Sequence, residues 1–300
     1  MLNVYILMGG ISSERNISVK TGSEILKYLD KSKYNIFPVE ISSKSNIINK
    51  IPNADFVFIA LHGEFGEDGI IQAILESHNI KYSGSGILAS SICMSKTMTK
   101  RVLKGENINT VPGLTITKTT NIDSLKITPD FFPAILKPDN GGSSIGIQII
   151  KSINDLKTNI HKTFCLCNKV LIEKFIYGQE YTIPILNGKL LPIMTIKTKN
   201  EFFDYNAKYF NKDTIFKKTE IDNNLMNKLN KIAKKCYYIL NCEVYLRVDI
   251  IISNNIPYVL EVNTLPGMTS NSLLPKSAKL SGISYSKLLD IIIKTSLNKE

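Results

Sequence analysis

A chain of 300 residues, 43% hydrophobic and 21% charged, buries a real core and ordinarily divides into two or three domains, which excludes disordered, collagen-like and mucin-like classes. Its apolar runs, such as 4–8 and 288–293, fall far short of the roughly 20 residues of a spanning helix, so no integral membrane protein is expected. The formal charge of +11 is spread over single and paired lysines such as Lys217–Lys218, without the dense basic block or interleaved aromatics of a nucleic-acid groove, so neither nucleic acid nor membrane is an expected partner.

The opening MLNVYILMGG has no basic leader and no small-residue cleavage site, which points to a cytoplasmic protein. Apolar runs at 4–8, 36–39 and 56–61 alternate with an amphipathic stretch at 19–29, the pattern of a parallel α/β sheet. A helical run at 70–76 leads into Ser83-Gly84-Ser85-Gly86, a small-residue break taken as the first domain boundary. Helical periodicity resumes over 90–104. A short strand at 132–136 then delivers Lys137-Pro138 to the loop Asp139-Asn140-Gly141-Gly142-Ser143-Ser144-Ile145-Gly146, which turns back into a strand at 147–150.

An apolar run at 170–176 closes the second unit, and 181–186 with 190–196 read as paired strands about Asn187-Gly188. The polar stretch 197–224 is too long for an ordinary turn and reads as a lid or binding loop. A helix over 225–240 precedes strands at 244–253 and 257–263. The expected domains are 1–84, 85–176 and 177–300. Five cysteines, Cys93, Cys165, Cys167, Cys236 and Cys242, show neither CxxC nor zinc spacing and read as reduced packing residues.

The last two strands carry the strongest chemical signal. Residues two apart on a strand share a face, which groups Arg247 with Asp249 and Glu261 with Asn263. If Asn254-Asn255-Ile256 is a three-residue loop, Asp249 lies opposite Glu261 and Arg247 opposite Asn263; a two-residue loop puts Asp249 against Leu260. Two carboxylates and an amide on one sheet face call for a cation, and oxygen-only donors suit Mg²⁺, although Arg247 by itself could neutralise them in a structural cluster. The GGSSIG loop offers backbone N–H groups to a phosphate; it lacks the Lys-Ser/Thr of a P-loop, and alone it reads equally as a hairpin turn. Glu14 ends the turn after the first strand, where it caps the next helix or receives an ammonium group. His62 follows the third strand at the carboxyl edge of the sheet, where ligands bind in open α/β folds.

Taken in order, GGISSERNIS, ALHGEFGEDG, YSGSG, the Lys-Pro-to-GGSSIG segment, LIEKFIYGQE, DYNAKY, RVDI and EVNTLPGMTSNSLLP resemble the D-alanine:D-alanine ligases of the ATP-grasp superfamily over essentially the whole chain. The resemblance implies an N-terminal parallel α/β domain followed by two α+β domains that clamp ATP. It also implies two Mg²⁺ ions, with Mn²⁺ as a substitute, and a homodimer. The implied reaction joins two D-alanines through a D-alanyl phosphate for peptidoglycan precursor synthesis.

On that likeness Lys96, Lys137 and Lys208 neutralise the ATP phosphates beneath the loop of Gly142, Ser143 and Ser144. Glu173, Lys174, Phe175, Ile176 and Glu180 match adenine and ribose contacts, with main-chain groups of the strand reading the purine edge, and Asp249, Glu261 and Asn263 match the metal ligands. Glu14 would hold the ammonium of the first D-alanine, Arg247 and the Gly267 N–H the oxyanion, and Ser272, the Leu273 N–H and His62 the second carboxylate. Ser143 and Tyr209 would join Glu14 in a hydrogen-bond link that shuts the lid. Gly141, Phe203, Asn206, Leu246 and Asn271 depart from the family pattern, which bears on lid and nucleotide more than on reaction type. Two other readings stand beside this one. Another ATP-grasp carboxylate-amine ligase, such as one making a D-alanyl depsipeptide, is disfavoured by Tyr209, and a non-catalytic nucleic-acid binder leaves the acid-amide hairpin unexplained.

Overall fold

A computed structural model describes residues 1–142, 145–197, 215–218 and 221–299. The first sheet, in the order β2-β1-β3-β4, is parallel throughout: β1 (Leu2–Gly9), β2 (Tyr34–Ile41), β3 (Phe56–Ile59) and β4 (Lys81–Tyr82). Helix α1 (Arg15–Tyr28) connects β1 to β2, and α2 (Ile70–Glu76) connects β3 to β4. Every residue of β3 is buried, as expected of a strand covered on both faces. Helix α1 starts at Arg15 rather than Val19 because the preceding turn already leads into it: the Ser12 carbonyl accepts from Arg15 N–H, and Ser12 Oγ accepts from Glu14 N–H.

Two helices, α3 (Ile87–Met94) and α4 (Lys96–Gly105), replace the single run expected over 90–104. They break at Ser95, whose extended backbone starts α4 and whose hydroxyl accepts from Met98 N–H at 3.3 Å, the N-cap role that serine favours. The middle sheet, β5-β8-β6-β7, is antiparallel: β5 (Gly113–Thr117), β6 (Ala134–Pro138), β7 (Gln148–Ile150) and β8 (Lys169–Lys174), with α5 (Ile153–Phe164) packed against it. Strands β6 and β7 pair directly about the glycine-rich loop, the expected strand-loop-strand arrangement.

The third sheet runs β12-β11-β9-β13-β14 with β10 also on β9. Its strands are β9 (Gln179–Leu186), β10 (Lys189–Leu190), β11 (Met194–Lys197), β12 (Ile215–Lys218), β13 (Tyr245–Ser253) and β14 (Ile256–Asn263). The strand expected at 190–196 is two pieces, because Pro192 between them has no N–H to give the ladder. Within the expected loop 197–224, Ile215–Lys218 is a strand paired with β11, and helix α6 (Asn223–Ile239) has already begun; 198–214 and 219–220 lie outside the described residues. Helices α7 (Leu273–Leu280) and α8 (Tyr285–Leu297) end the chain.

The β13–β14 hairpin corrects one step of the sequence argument. Ser253 pairs with Ile256 across a two-residue turn in which Asn254 and Asn255 take φ of 49° and 61°, the left-handed pair of a type I′ turn that asparagine tolerates. That turn alone would set Asp249 against Leu260. A β-bulge between Asp249 and Ile250 takes Leu260 out of the pairing, so Asp249 still faces Glu261 and Arg247 still faces Asn263. Leu246 sits in regular strand opposite Ile185; the unusual backbone falls two residues earlier, at Val244, with φ of 57°.

The core of the first sheet is completed from the far end of the chain. Leu274 and Ala278 of α7 and Leu288, Leu289, Ile292 and Ile293 of α8 join Val4, Ile6, Phe56 and Phe58 in one cluster. The middle and third sheets have clusters of their own, around Leu136 and Ile172 and around Ile183 and Val248. No helix among the described residues is long and apolar enough to cross a membrane.

Asp290 on α8 is 3% exposed, accepts the Tyr34 hydroxyl at 2.7 Å, and lies 3.1 Å from Lys294, 3.7 Å from Lys287 and 3.8 Å from Lys33. Burial raises its pKa, but the Tyr34 and Lys294 hydrogen bonds and the lysine charges outweigh that and hold it below the ordinary value. A depressed folded-state pKa means stability that is present above the unfolded value of about 4 and lost as pH falls through the folded one. Asp290→Asn is therefore expected to cost roughly 1–3 kcal/mol at neutral pH, a gap that closes on acidification. Urea melts that give the same gap at neutral pH and at about pH 3 would contradict this.

Candidate active site

Two cavities meet where the three sheets converge on the glycine-rich loop. The smaller, ≈ 110 Å³, is lined by Glu14, His62, Glu67, Arg247, Asn263, Gly267, Asn271, Ser272 and Leu273 among others. The larger, ≈ 230 Å³, is lined by Lys137, Glu173, Lys174, Phe175, Ile176, Glu180 and Asp249 among others. Lys96, Gly141, Gly142 and Glu261 line both and form the shared wall. All the expected site residues that are described thus meet at one cavity or the other. Ser143, Ser144, Lys208 and Tyr209, with Phe203 and Asn206, lie outside the described residues.

Glu14 occupies the N-cap position of α1, yet its side chain makes no capping hydrogen bond. Its carboxylate is wedged between two glycines: a Cβ on Gly63 would lie 2.7 Å from Oε2, and one on Gly142 would lie 2.8 Å from it. Of the two roles left open by the sequence, capping is therefore not the one its side chain takes. His62 approaches Glu67 Oε1 through Nδ1 at 3.1 Å and Thr21 Oγ1 through Nε2 at 3.1 Å. Burial lowers the His62 pKa, but Glu67 and then Glu14 outweigh it and raise the value above the ordinary one, favouring imidazolium. Both ring nitrogens of His62 are thus engaged within the protein.

Arg247 and Asp249, two apart on β13, form a buried ion pair, Nη2 to Oδ2 at 2.6 Å. Thr182 on the neighbouring β9 joins them, donating to Asp249 Oδ1 at 2.5 Å and accepting from Arg247 Nε at 3.0 Å. Asp249, its cross-strand partner Glu261, and Asn263 present two carboxylates and an amide. The Asn263 oxygen also accepts Leu265 N–H at 3.1 Å. Among the described residues no three His, Cys, Asp or Glu side chains gather as a metal site, so a cation here would take the amide as its third donor. That donor set is all oxygen, which fits Mg²⁺ and not zinc.

The glycine-rich loop is clasped to the first turn of α4. Asp139, buried, accepts Ser95 Oγ at 2.8 Å and Thr97 N–H at 2.7 Å, while Lys96 Nζ donates to the Gly141 carbonyl at 2.5 Å. Glu173 is paired with two lysines, Lys137 at 2.5 Å and Lys100. Burial raises the Glu173 pKa, but Lys137 and Lys100 outweigh it and keep the carboxyl below its ordinary value. Lys174 N–H and Phe175 N–H donate to the Pro112 and Pro133 carbonyls, each at 2.9 Å, so these two N–H groups are already engaged within the protein. Ser272 opens α7, where the first N–H groups of a helix lack internal acceptors and suit a carboxylate. Its hydroxyl accepts Thr269 N–H at 3.1 Å, and a Cβ on Gly267 would lie 3.1 Å from it.

Thr21, Glu67, Lys100, Asp139 and Thr182 are the partners that sequence reasoning misses. Glu67 lies within the ALHGEFGEDG segment, and Lys100 stands one helical turn after Lys96, so both carried a local signal. Thr182 needs the β9–β13 register, which no local pattern supplies.

The family model described as D-ala D-ala ligase N-terminus matches residues 3–51 and 44–85, and that described as D-ala D-ala ligase C-terminus matches 117–294. D-alanine–D-alanine ligase A of Bacillus cereus is 46% identical over 292 residues, 97% of this chain and 97% of that protein. D-alanine–D-alanine ligase B of Clostridium perfringens is 46% identical over 300 residues, 100% of this chain and 99% of that protein. The crystal structure of D-alanine–D-alanine ligase from Bacillus anthracis complexed with ATP aligns with a TM-score of 0.90 at 43% identity, covering 99% of this chain and 98% of that one. Near-complete coverage in sequence and in fold, by models of both halves and by whole relatives, has one meaning: the chain belongs to the D-alanine–D-alanine ligase family, with its ATP-grasp fold.

Proposed function

We propose that this chain uses ATP to join two D-alanine molecules into D-alanyl-D-alanine through D-alanyl phosphate, for peptidoglycan precursor synthesis, as a cytoplasmic homodimer. The observation that carries the reading is the wall shared by the two cavities, in which Lys96, Gly142 and Glu261 adjoin both the larger cleft and the smaller chamber. Phosphoryl transfer between two substrates requires such a junction, because it is catalysed mainly by position and charge.

In this mechanism the larger cavity takes ATP, with Lys96 and Lys137 against the phosphates and the 173–176 strand and Glu180 against adenine and ribose. The smaller cavity takes both D-alanines: Glu14 holds the ammonium of the first, while Ser272, the Leu273 N–H and the His62 charge hold the carboxylate of the second. The γ-phosphoryl group passes to the first carboxylate and ADP leaves. The second amine attacks the acyl carbon, its lost proton goes to a base or solvent, and phosphate leaves. Arg247 and the Gly267 N–H receive the negative charge that develops on the acyl oxygen. Asp249, Glu261 and Asn263 would hold Mg²⁺, two ions on the family pattern, which spreads the charge of the transferring group. The resemblance assigns Ser143 and Tyr209 to the hydrogen-bond link with Glu14. Water must be kept out of the smaller cavity, or the acyl phosphate hydrolyses.

The test is phosphate release from ATP and Mg²⁺ with D-alanine, with L-alanine, with D-lactate beside D-alanine, and with no second substrate, the product being weighed by mass spectrometry. Release that depends on D-alanine and yields the dipeptide is expected. ATP binding without D-alanine dependence would keep the nucleotide site and overturn the substrate.

A further inference from the structure

Lys100 lines neither cavity, yet it is 6% exposed with its ammonium directly behind the larger one. Its Nζ donates to the Val111 carbonyl at 2.5 Å and pairs with Glu173 Oε1. The other oxygen, Oε2, takes Lys137 Nζ at 2.5 Å. Glu173 and Lys137 face the cleft, at 2% and 8% exposed. The three side chains therefore form a buried row of cation, anion, cation, anchored at its inner end to the backbone.

One buried lysine against one carboxylate would cancel, and a cancelled cation does little for a polyphosphate. In this row a single carboxylate is divided between two ammonium groups, and a net positive charge remains. Burial pushes the Lys100 pKa down against the pull of Glu173, as expected of a cation that shares that counter-charge with Lys137. Without Lys100, both oxygens of Glu173 would be left to Lys137 and would draw that ammonium back from the cleft.

We propose that Lys100 is a positioning residue for the nucleotide: by holding one oxygen of Glu173, it leaves the Lys137 ammonium only partly neutralised and forward, against the phosphates. The inference rests on the reading of the larger cavity as the ATP site.

Calorimetric titration of the full chain with ADP and Mg²⁺, together with steady-state kinetics, tests it. Lys100→Met is expected to weaken ADP binding and raise the KM for ATP about tenfold or more, while the KM for D-alanine stays within about twofold. Lys100→Arg should restore most of the affinity. In a Glu173→Gln background Lys100→Met should have little further effect, because no anion is left to compete for Lys137. A lower melting temperature with unchanged ADP affinity would make Lys100 merely structural and overturn the proposal, as would an equal loss in both backgrounds. If Lys100→Met does not fold, Lys100→Gln, which keeps a donor for Val111 without the charge, carries the same expectation. Failure of the parent chain to bind ADP would overturn the nucleotide reading itself, a result distinct from parental binding that Lys100 does not affect.

Discussion

Arg247→Ala is expected to lower turnover by a factor of at least roughly a hundred to a thousand, the range for loss of one donor to a developing oxyanion. Arg247 is buried, lines the smaller cavity and is held by Asp249 and Thr182, so its guanidinium is fixed before substrate arrives. Five N–H donors allow one guanidinium to hold Asp249 and serve a ligand together. Removing it also leaves the Asp249 carboxylate buried without its cation, a loss of about 3–5 kcal/mol in stability when one partner of a buried pair is deleted. Arg247→Lys separates the two effects. A lysine restores charge beside Asp249 but not the planar fork, so the melting temperature should recover while turnover stays low. Near-parental turnover in the alanine variant would remove Arg247 from the reaction.

Gly142→Ala should do the reverse, leaving the fold intact and lowering kcat/KM for D-alanine by about a hundredfold, the cost of displacing a substrate-holding group by about an ångström. The new Cβ would lie 2.8 Å from Glu14 Oε2 and 3.1 Å from Oε1, and Gly63 closes the opposite side, so the carboxylate has to move. What moves is the end of a flexible side chain, so the stability change is expected within about 1 kcal/mol. Gly141→Ala is the control, since among the described residues its Cβ would meet only Pro138 Cβ at 3.7 Å, ordinary contact. Activity is expected to survive there. Equal kcat/KM for the two variants would show that the Glu14 position is not critical.

Chemistry that lies close along the chain is legible in the sequence. Strand parity groups Arg247 with Asp249 and Glu261 with Asn263, and the cross-strand pairing expected of a three-residue loop is the one the structure has. The route to it differs, because the turn has two residues and the bulge at Leu260 supplies the offset attributed to a longer loop. Bulges leave no reliable local mark, since they depend on what the partner strand requires. The break at Ser95 is hidden for a similar reason: periodicity runs across it, and the Asp139 that fastens it comes from 44 residues away. Lys100 with Glu173, 73 residues apart, and Thr182 with Asp249, 67 apart, meet only once separate elements are assembled. The family resemblance supplies residue roles but not these supporting contacts.

The helix that ends the chain also sets the order in which the protein can be made. A nascent chain lays down its opening strands while α8, which supplies Leu288, Leu289, Ile292 and Ile293 to their core, is still unmade. Tyr34 waits 256 residues for Asp290. Until α8 is made, apolar surface of the first sheet stays uncovered, the situation in which nascent proteins aggregate or engage chaperones. A message truncated just before Tyr285 would encode every described residue that lines the two cavities and still yield a chain whose first sheet lacks its final cover.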